Sequence, residues 1–182
     1  MRWLIARLLF LPTLVWNMSL GRVLRVRAWW NQVDDGVWIG ALPLRRDVSA
    51  LYALGIRAVV NTCDEFQGPQ STYRACGIVQ LQVPTIDFTV PSLEHVQQAV
   101  AFMNEHLSRG DGVYVHCKAG RGRSATVVLC WLMQARGITP EEAQRRLLEA
   151  RPHVMPNVYR RSVVQRFWHL QTGLDDPPGS DD

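Results

Sequence analysis

The chain is poor in the residues that mark cross-linked or metal-stapled proteins. Four cysteines stand among 182 residues and no two form a CxxC pair, so neither a disulfide framework nor a structural zinc site suits it. Lysine is nearly absent: of the 20 basic residues 19 are arginine, and Lys118 is the exception. No acidic residue occurs before Asp34. The longest uncharged stretch, Leu8 to Gly21, has 14 residues, short of the roughly 20 that a membrane-crossing helix needs. There is no internal repeat and no basic, aromatic platform of the kind that binds nucleic acid, so nucleic acid is not an expected partner.

What is present is a chain that can build one real core, with 47% hydrophobic and 20% charged residues. Its charge is unevenly placed. Residues 1–33 hold five arginines and no acid, whereas residues 174–182 hold Asp175, Asp176, Asp181 and Asp182. Residues 1–30 read as a basic, apolar, membrane-associating segment, with Trp3, Trp16, Trp29 and Trp30 beside arginines suited to headgroup depth. A cleaved targeting peptide and a helix folded onto the domain's own core are the other readings of the same composition. Residues 31–173 read as the folded domain and 174–182 as a solvated, disordered acidic tail. A basic body points to anionic partners, either a membrane surface or a phosphate-bearing molecule. Nothing in the sequence sets an oligomeric state.

Strand and helix signals alternate through the domain. Val33-Asp-Asp-Gly-Val37 has hairpin chemistry and leads into Trp38-Ile39-Gly40. Ser49 to Leu54 predicts a short helix, Ile56 to Asn61 a buried strand, and Val79 to Val83 a half-buried strand ending at Pro84. Ser92 caps a helix with Val96, Ala99, Val100, Met103 and Leu107 on its apolar face, ended by Gly110. Gly112 to His116 is a strand, and Ser124 to Arg136 a buried helix stopped by Gly137. Thr139-Pro-Glu-Glu142 opens another helix, and Val163, Phe167 and Leu170 mark the apolar face of a last one. The expected fold class is α/β, a mostly parallel sheet flanked by helices.

The chemistry concentrates in His116-Cys-Lys-Ala-Gly-Arg-Gly-Arg-Ser124, between a predicted strand and a predicted helix. Five residues separate Cys117 from Arg123, room for the backbone to curl its N–H groups inward at a helix mouth and cradle a phosphate dianion. Gly120 and Gly122 allow close backbone approach. The same N–H groups and the helix's positive end favour Cys117 as thiolate, and the Arg123 fork matches two phosphoryl oxygens. Together with Ala119, the residues His116, Lys118, Gly120, Arg121 and Gly122 form the candidate binding loop; His116 also reads as a buried residue tuning Cys117. Lys118 and Arg121 add positive charge suited to a second phosphate.

These are the parts of phosphoryl transfer through a phosphocysteine. Cys117 attacks phosphorus, loop amides and Arg123 hold the equatorial oxygens, and Ser124 assists the sulfur as it leaves. Asp87, flanked by Pro84 and Pro91 and lying 30 residues before Cys117, is the candidate acid for the leaving oxygen. Cys63, Cys76 and Cys130 read as core residues. This chemistry calls for no metal and no organic cofactor.

The loop resembles the His-Cys-x5-Arg-Ser/Thr signature of the cysteine-dependent dual-specificity phosphatases, with the acid before the cysteine as in that family. Further matches run through Ala6–Leu14, Ile39–Arg45, Asn61–Phe66, Thr85–Thr89 and Tyr114–Thr126. These resemble the mitochondrial-type protein tyrosine phosphatases that act on phosphatidylglycerophosphate. The resemblance implies hydrolysis of that lipid's terminal phosphate to leave phosphatidylglycerol, a step toward cardiolipin, with Cys117, Arg123 and Asp87 on the family's nucleophile, phosphate-binding arginine and acid. A phosphoprotein phosphatase using the same residues is the alternative. An anionic phospholipid is then the expected substrate, and the reactive thiolate implies a membrane face in a reducing compartment, a bacterial cytoplasm or a mitochondrial matrix.

Overall fold

Parallel strands are joined by crossovers that lay helices on both faces, so their residues are apolar on both sides. That condition is met here by Ala58-Val-Val60 and Val113-Tyr-Val115. The computed structural model describes residues 12–16, 18–24 and 26–173; the first eleven residues and the tail 174–182 lie outside the described residues. Five strands, β1 (Trp30–Asp34), β2 (Val37–Gly40), β3 (Ile56–Cys63), β4 (Val79–Thr85) and β5 (Gly112–His116), form one sheet in the order β1-β2-β5-β3-β4. Only the β1–β2 hairpin is antiparallel. From Val48 onward six α-helices follow: α1 (Val48–Ala53), α2 (Gln70–Ala75), α3 (Leu93–Ser108), α4 (Arg123–Arg136), α5 (Pro140–Ala150) and α6 (Ser162–Thr172).

Alternation along the strands divides the core in two. Ala58 and Val60 of β3 and Val113 and Val115 of β5 face the larger cluster, under α3, α4 and α6. Val59 and Tyr114 face the smaller one, with Val48 and Leu51 of α1 and Tyr73 of α2. The central strand β5 is buried at every residue, so the loop that follows it opens at the carboxyl edge of the sheet, where open parallel sheets bind ligands.

Capping follows the sequence: Ser92 Oγ accepts from the His95 N–H, and Thr139 Oγ1 from the Glu142 N–H. Some expectations need correction. The strand β4 runs through Pro84 to Thr85, because it is an edge strand and a missing N–H costs no ladder bond there. Helix α4 starts at Arg123, one residue before the predicted Ser124. Leu170 is 57% exposed and Leu107 only half-buried, so the buried face of α6 is Val163, Val164 and Phe167. The short α2, polar apart from Tyr73 and Ala75, has no periodic signal in the sequence.

Near the amino terminus, 12–16 are helical and Ser19–Val23 form a wide helical turn. Val15, Trp16, Leu24 and Val26 are each more than half exposed, so these side chains do not enter the core, and among the described residues no helix is long and apolar enough to cross a membrane. Phe167, 1% exposed, ties α6 to the main cluster. Phe167→Ala is expected to cost about 3–4 kcal/mol, read as a lower urea midpoint with an unchanged slope.

Candidate active site

A buried strand can deliver a side chain to the sheet edge with little freedom, and β5 delivers Cys117 in this way, 4% exposed. The loop then turns back on itself. Gly120 has φ +67°, and a Cβ there would lie 2.5 Å from the carbonyl carbon and oxygen of Gly40, so the turn admits only glycine. The turn aims the Gly120 N–H at Cys117 Sγ, 3.2 Å away, while the Ser124 hydroxyl donates to the same sulfur at 3.3 Å. Burial pushes the thiol up, but it is outweighed by the positive charge of Arg123, the Ser124 hydroxyl and the backbone N–H groups of Ser124 and Arg121. The net pKa is lowered to about 6.

Arg123, in the first turn of α4, is 4% exposed. Its Nη1 donates to Glu65 Oε2 at 2.9 Å and to the Thr85 carbonyl at 2.7 Å, and its Nη2 to Asp87 Oδ1 at 2.9 Å. Burial disfavours its charge, yet the surrounding anions, Cys117 first, hold it firmly protonated. Asp87 is further paired with Lys118 Nζ, and its backbone N–H donates to Glu65 Oε1 at 2.6 Å. Thus Cys117, Lys118, Arg123, Ser124 and Asp87 converge on one pocket, joined by Glu65.

The loop is held in place by groups outside it. Arg151, 1% exposed, donates from Nε to the Gly120 carbonyl at 2.9 Å and from Nη2 to the Ala119 carbonyl at 3.2 Å. Its Nη1 reaches the Ala28 carbonyl at 3.1 Å and Asn31 Oδ1 at 2.5 Å. Arg161 donates to the Gly122 carbonyl at 3.1 Å and Thr126 Oγ1 at 2.5 Å. Two predicted loop ligands are placed differently from the rest. Arg121 turns its Nε to the His153 carbonyl at 2.8 Å. His116 is fully buried, its ring stacked on Tyr114 and edge-on to Phe66. This makes it a support for the loop with no surface to offer a substrate. Burial lowers its pKa to about 3, with Arg123 acting in the same direction.

The family model described as "Dual specificity phosphatase, catalytic domain" matches residues 37–167. The chain belongs to the dual specificity phosphatase family. Phosphatidylglycerophosphate phosphatase PTPMT2 of Arabidopsis thaliana is 37% identical over 173 residues, covering 93% of this chain and 76% of that protein. Phosphatidylglycerophosphatase and protein-tyrosine phosphatase 1 of Homo sapiens is 35% identical over 172 residues, covering 90% of this chain and 86% of that protein. Among solved structures, PTPMT1 in complex with PI(5)P is similar with a TM-score of 0.73 at 30% identity, covering 80% of this chain and 97% of that one.

Two residues of this phosphatase pocket escaped sequence reasoning. Glu65 lies in the Asn61–Phe66 stretch, but only the parallel pairing of β3 with β4 and β5 brings it to Arg123. Arg151 carried no signal, since an arginine after a helix reads as solvated. Two outcomes follow. For a soluble phosphomonoester, kcat/KM is expected to rise through about pH 6 as Cys117 loses its proton, and this limb should move upward in Ser124→Ala. The substrate's own phosphate titrates nearby, but only the enzyme's limb depends on the Ser124 hydroxyl. Arg151→Lys, which keeps a charge but loses the fork, is expected to lower kcat by about 10–100-fold through a misplaced loop, measured at saturating substrate.

Proposed function

We propose that this protein removes the terminal phosphate of phosphatidylglycerophosphate, leaving phosphatidylglycerol, by way of a phosphocysteine on Cys117. The observation that carries the reading is a low-pKa thiol held in a ring of N–H groups beside Arg123 and Asp87. The printed names of the relatives supply the lipid.

The phosphoryl oxygens enter the loop and compete with Asp87 for Arg123 Nη2 and for Lys118, so the carboxylate loses its cationic partners, takes up a proton from solvent and turns toward the leaving oxygen. Cys117 Sγ attacks phosphorus, loop N–H groups and Arg123 take up the equatorial charge, and Asp87 protonates the departing alcohol. Water then attacks the phosphocysteine with Asp87 accepting its proton, while Ser124 stabilises the returning thiolate. Glu65 keeps the Arg123 fork in plane throughout.

An anionic bilayer is the partner surface in this reading, contacted through the basic, apolar segment 1–30. In this reading the enzyme works on a membrane face in a reducing compartment, a bacterial cytoplasm or a mitochondrial matrix, because a thiolate of this kind is readily oxidised. All four cysteines being free is in keeping with that. Phosphoprotein hydrolysis is a second reading, favoured by the family description and by the human relative's name.

The test is phosphate release from phosphatidylglycerophosphate in mixed micelles beside a phosphotyrosine peptide. Lipid is expected to be strongly preferred, with activity lost by about 10⁴-fold or more in Cys117→Ser and lowered about 10²–10³-fold in Asp87→Asn. Preference for the peptide would transfer the function to phosphoproteins.

A further inference from the structure

A phosphate that reaches a sulfur only 4% exposed must enter the pocket headgroup first, while the acyl chains attached to it stay in the bilayer. The rim of the pocket therefore has to meet the membrane, and what the rim displays is unusual for a solvated surface. Phe88, next to Asp87, is the one described non-glycine residue with a positive φ, +65°. Its ring is 71% exposed, more than any other large apolar side chain described. A bulky residue held in the left-handed region without packing on its own core signals a constraint other than stability. The ring lies beside the loop, its centroid 5.2 Å from Lys118 Nζ.

Farther along the loop, at Arg121 and Gly122, stands Met155, 45% exposed. Its N–H donates to the Arg121 carbonyl at 3.0 Å, and its sulfur is 3.0 Å from where a Cβ on Gly122 would lie. Thr13 Oγ1 accepts from the same Lys118 Nζ at 2.7 Å, and Thr13 belongs to the helical stretch that carries the exposed Val15 and Trp16. Two separate chain segments thus bring an exposed apolar side chain, Phe88 and Met155, to one loop, and a third segment reaches it through Thr13. The charge between them is positive: Arg161 Nη2 lies 3.4 Å from Met155 Sδ, and Arg121 and Arg160 are exposed. The nearby carboxylates Glu65 and Asp87 are turned inward, 4% and 10% exposed, and paired. Exposed aromatic and thioether side chains interleaved with arginine match an anionic lipid surface.

We infer that Phe88 and Met155 form a bilayer-inserting rim, which seats the pocket itself on anionic phospholipid in addition to any anchoring by the amino-terminal segment. The inference rests on the lipid-substrate reading, and the experiment separates the two. Binding is measured with the inactive Cys117→Ser protein on vesicles of phosphatidylcholine containing phosphatidylglycerol. Phe88→Asn combined with Met155→Gln is chosen because asparagine tolerates the left-handed backbone and glutamine keeps the length of methionine. The double substitution is expected to weaken vesicle binding about tenfold, the scale of losing two partly buried apolar side chains, while Phe88→Trp retains it.

With Cys117 intact, turnover of a soluble aryl phosphate should stay within about twofold of wild type. Unchanged vesicle affinity overturns the inference, as does an equal fall on the soluble ester. So does a fall confined to phosphopeptide hydrolysis, which would make the rim a protein-docking surface. Failure of the unaltered enzyme to hydrolyse phosphatidylglycerophosphate, with Phe88-dependent vesicle binding intact, would count against the substrate reading alone.

Discussion

Keeping a negative charge on a sulfur at the dry end of a buried strand is the constraint around which this molecule is organised. Isolated, such a charge would be neutralised by its surroundings. Here the Gly120 N–H, the Ser124 hydroxyl and the start of α4 each contribute part of the compensation, and Arg123 contributes the largest share. Arg123 is itself buried and needs anions, which Glu65 and Asp87 provide, and Asp87 is matched in turn by Lys118. The result is a closed set of buried charges in which each member holds the next in place. A dianionic phosphoryl group can enter such a set because it replaces one anion with another and leaves no cation unpaired.

The rest of the fold serves to hold the loop still. The central β5 brings in Cys117 and α4 brings in Arg123, and both elements are buried along the stretch that meets the loop. Gly120 can approach the Gly40 carbonyl closely only because it carries no side chain itself, while at Gly40 the space a side chain would need is taken by the Tyr114 hydroxyl and the Trp29 carbonyl. Arg151 then ties the Ala119 and Gly120 carbonyls to Ala28 and Asn31, so that the loop shares its support with the entry to the hairpin. A guanidinium suits this task since its donors diverge in one plane and reach several carbonyls at once.

How far the sequence could be read follows from the range of the interactions. Cys117, Arg123 and Ser124 lie within one strand–turn–helix, so their convergence is local and visible in the spacing. Asp87 was legible through chain order and its flanking prolines. Glu65 and Arg151 were not, because strand order and the packing of a distant helix end bring them in. The strand, the capped helices at Ser92 and Thr139 and the hairpin at Gly36 agreed with local chemistry to within a residue or two. The errors fell where tertiary context decides: Pro84 inside an edge strand, Leu170 on the outer side of α6, and α2, which a single buried Tyr73 holds. His116 and Arg121 were placed in the loop by sequence, but burial of the one ring and the bond from the other side chain to His153 set them apart from the pocket.

Membership of the dual specificity phosphatase family and the geometry of the pocket meet in one chemical claim, that the phosphoryl group passes through Cys117. The most direct measurement is to quench the enzyme with acid during turnover of a phosphorus-labelled substrate and to sequence the labelled peptide by mass spectrometry. The account requires a single phosphoryl group on Cys117, chased by excess unlabelled substrate and absent from Cys117→Ser. Turnover with no covalent label, or with the label on another residue, would contradict it.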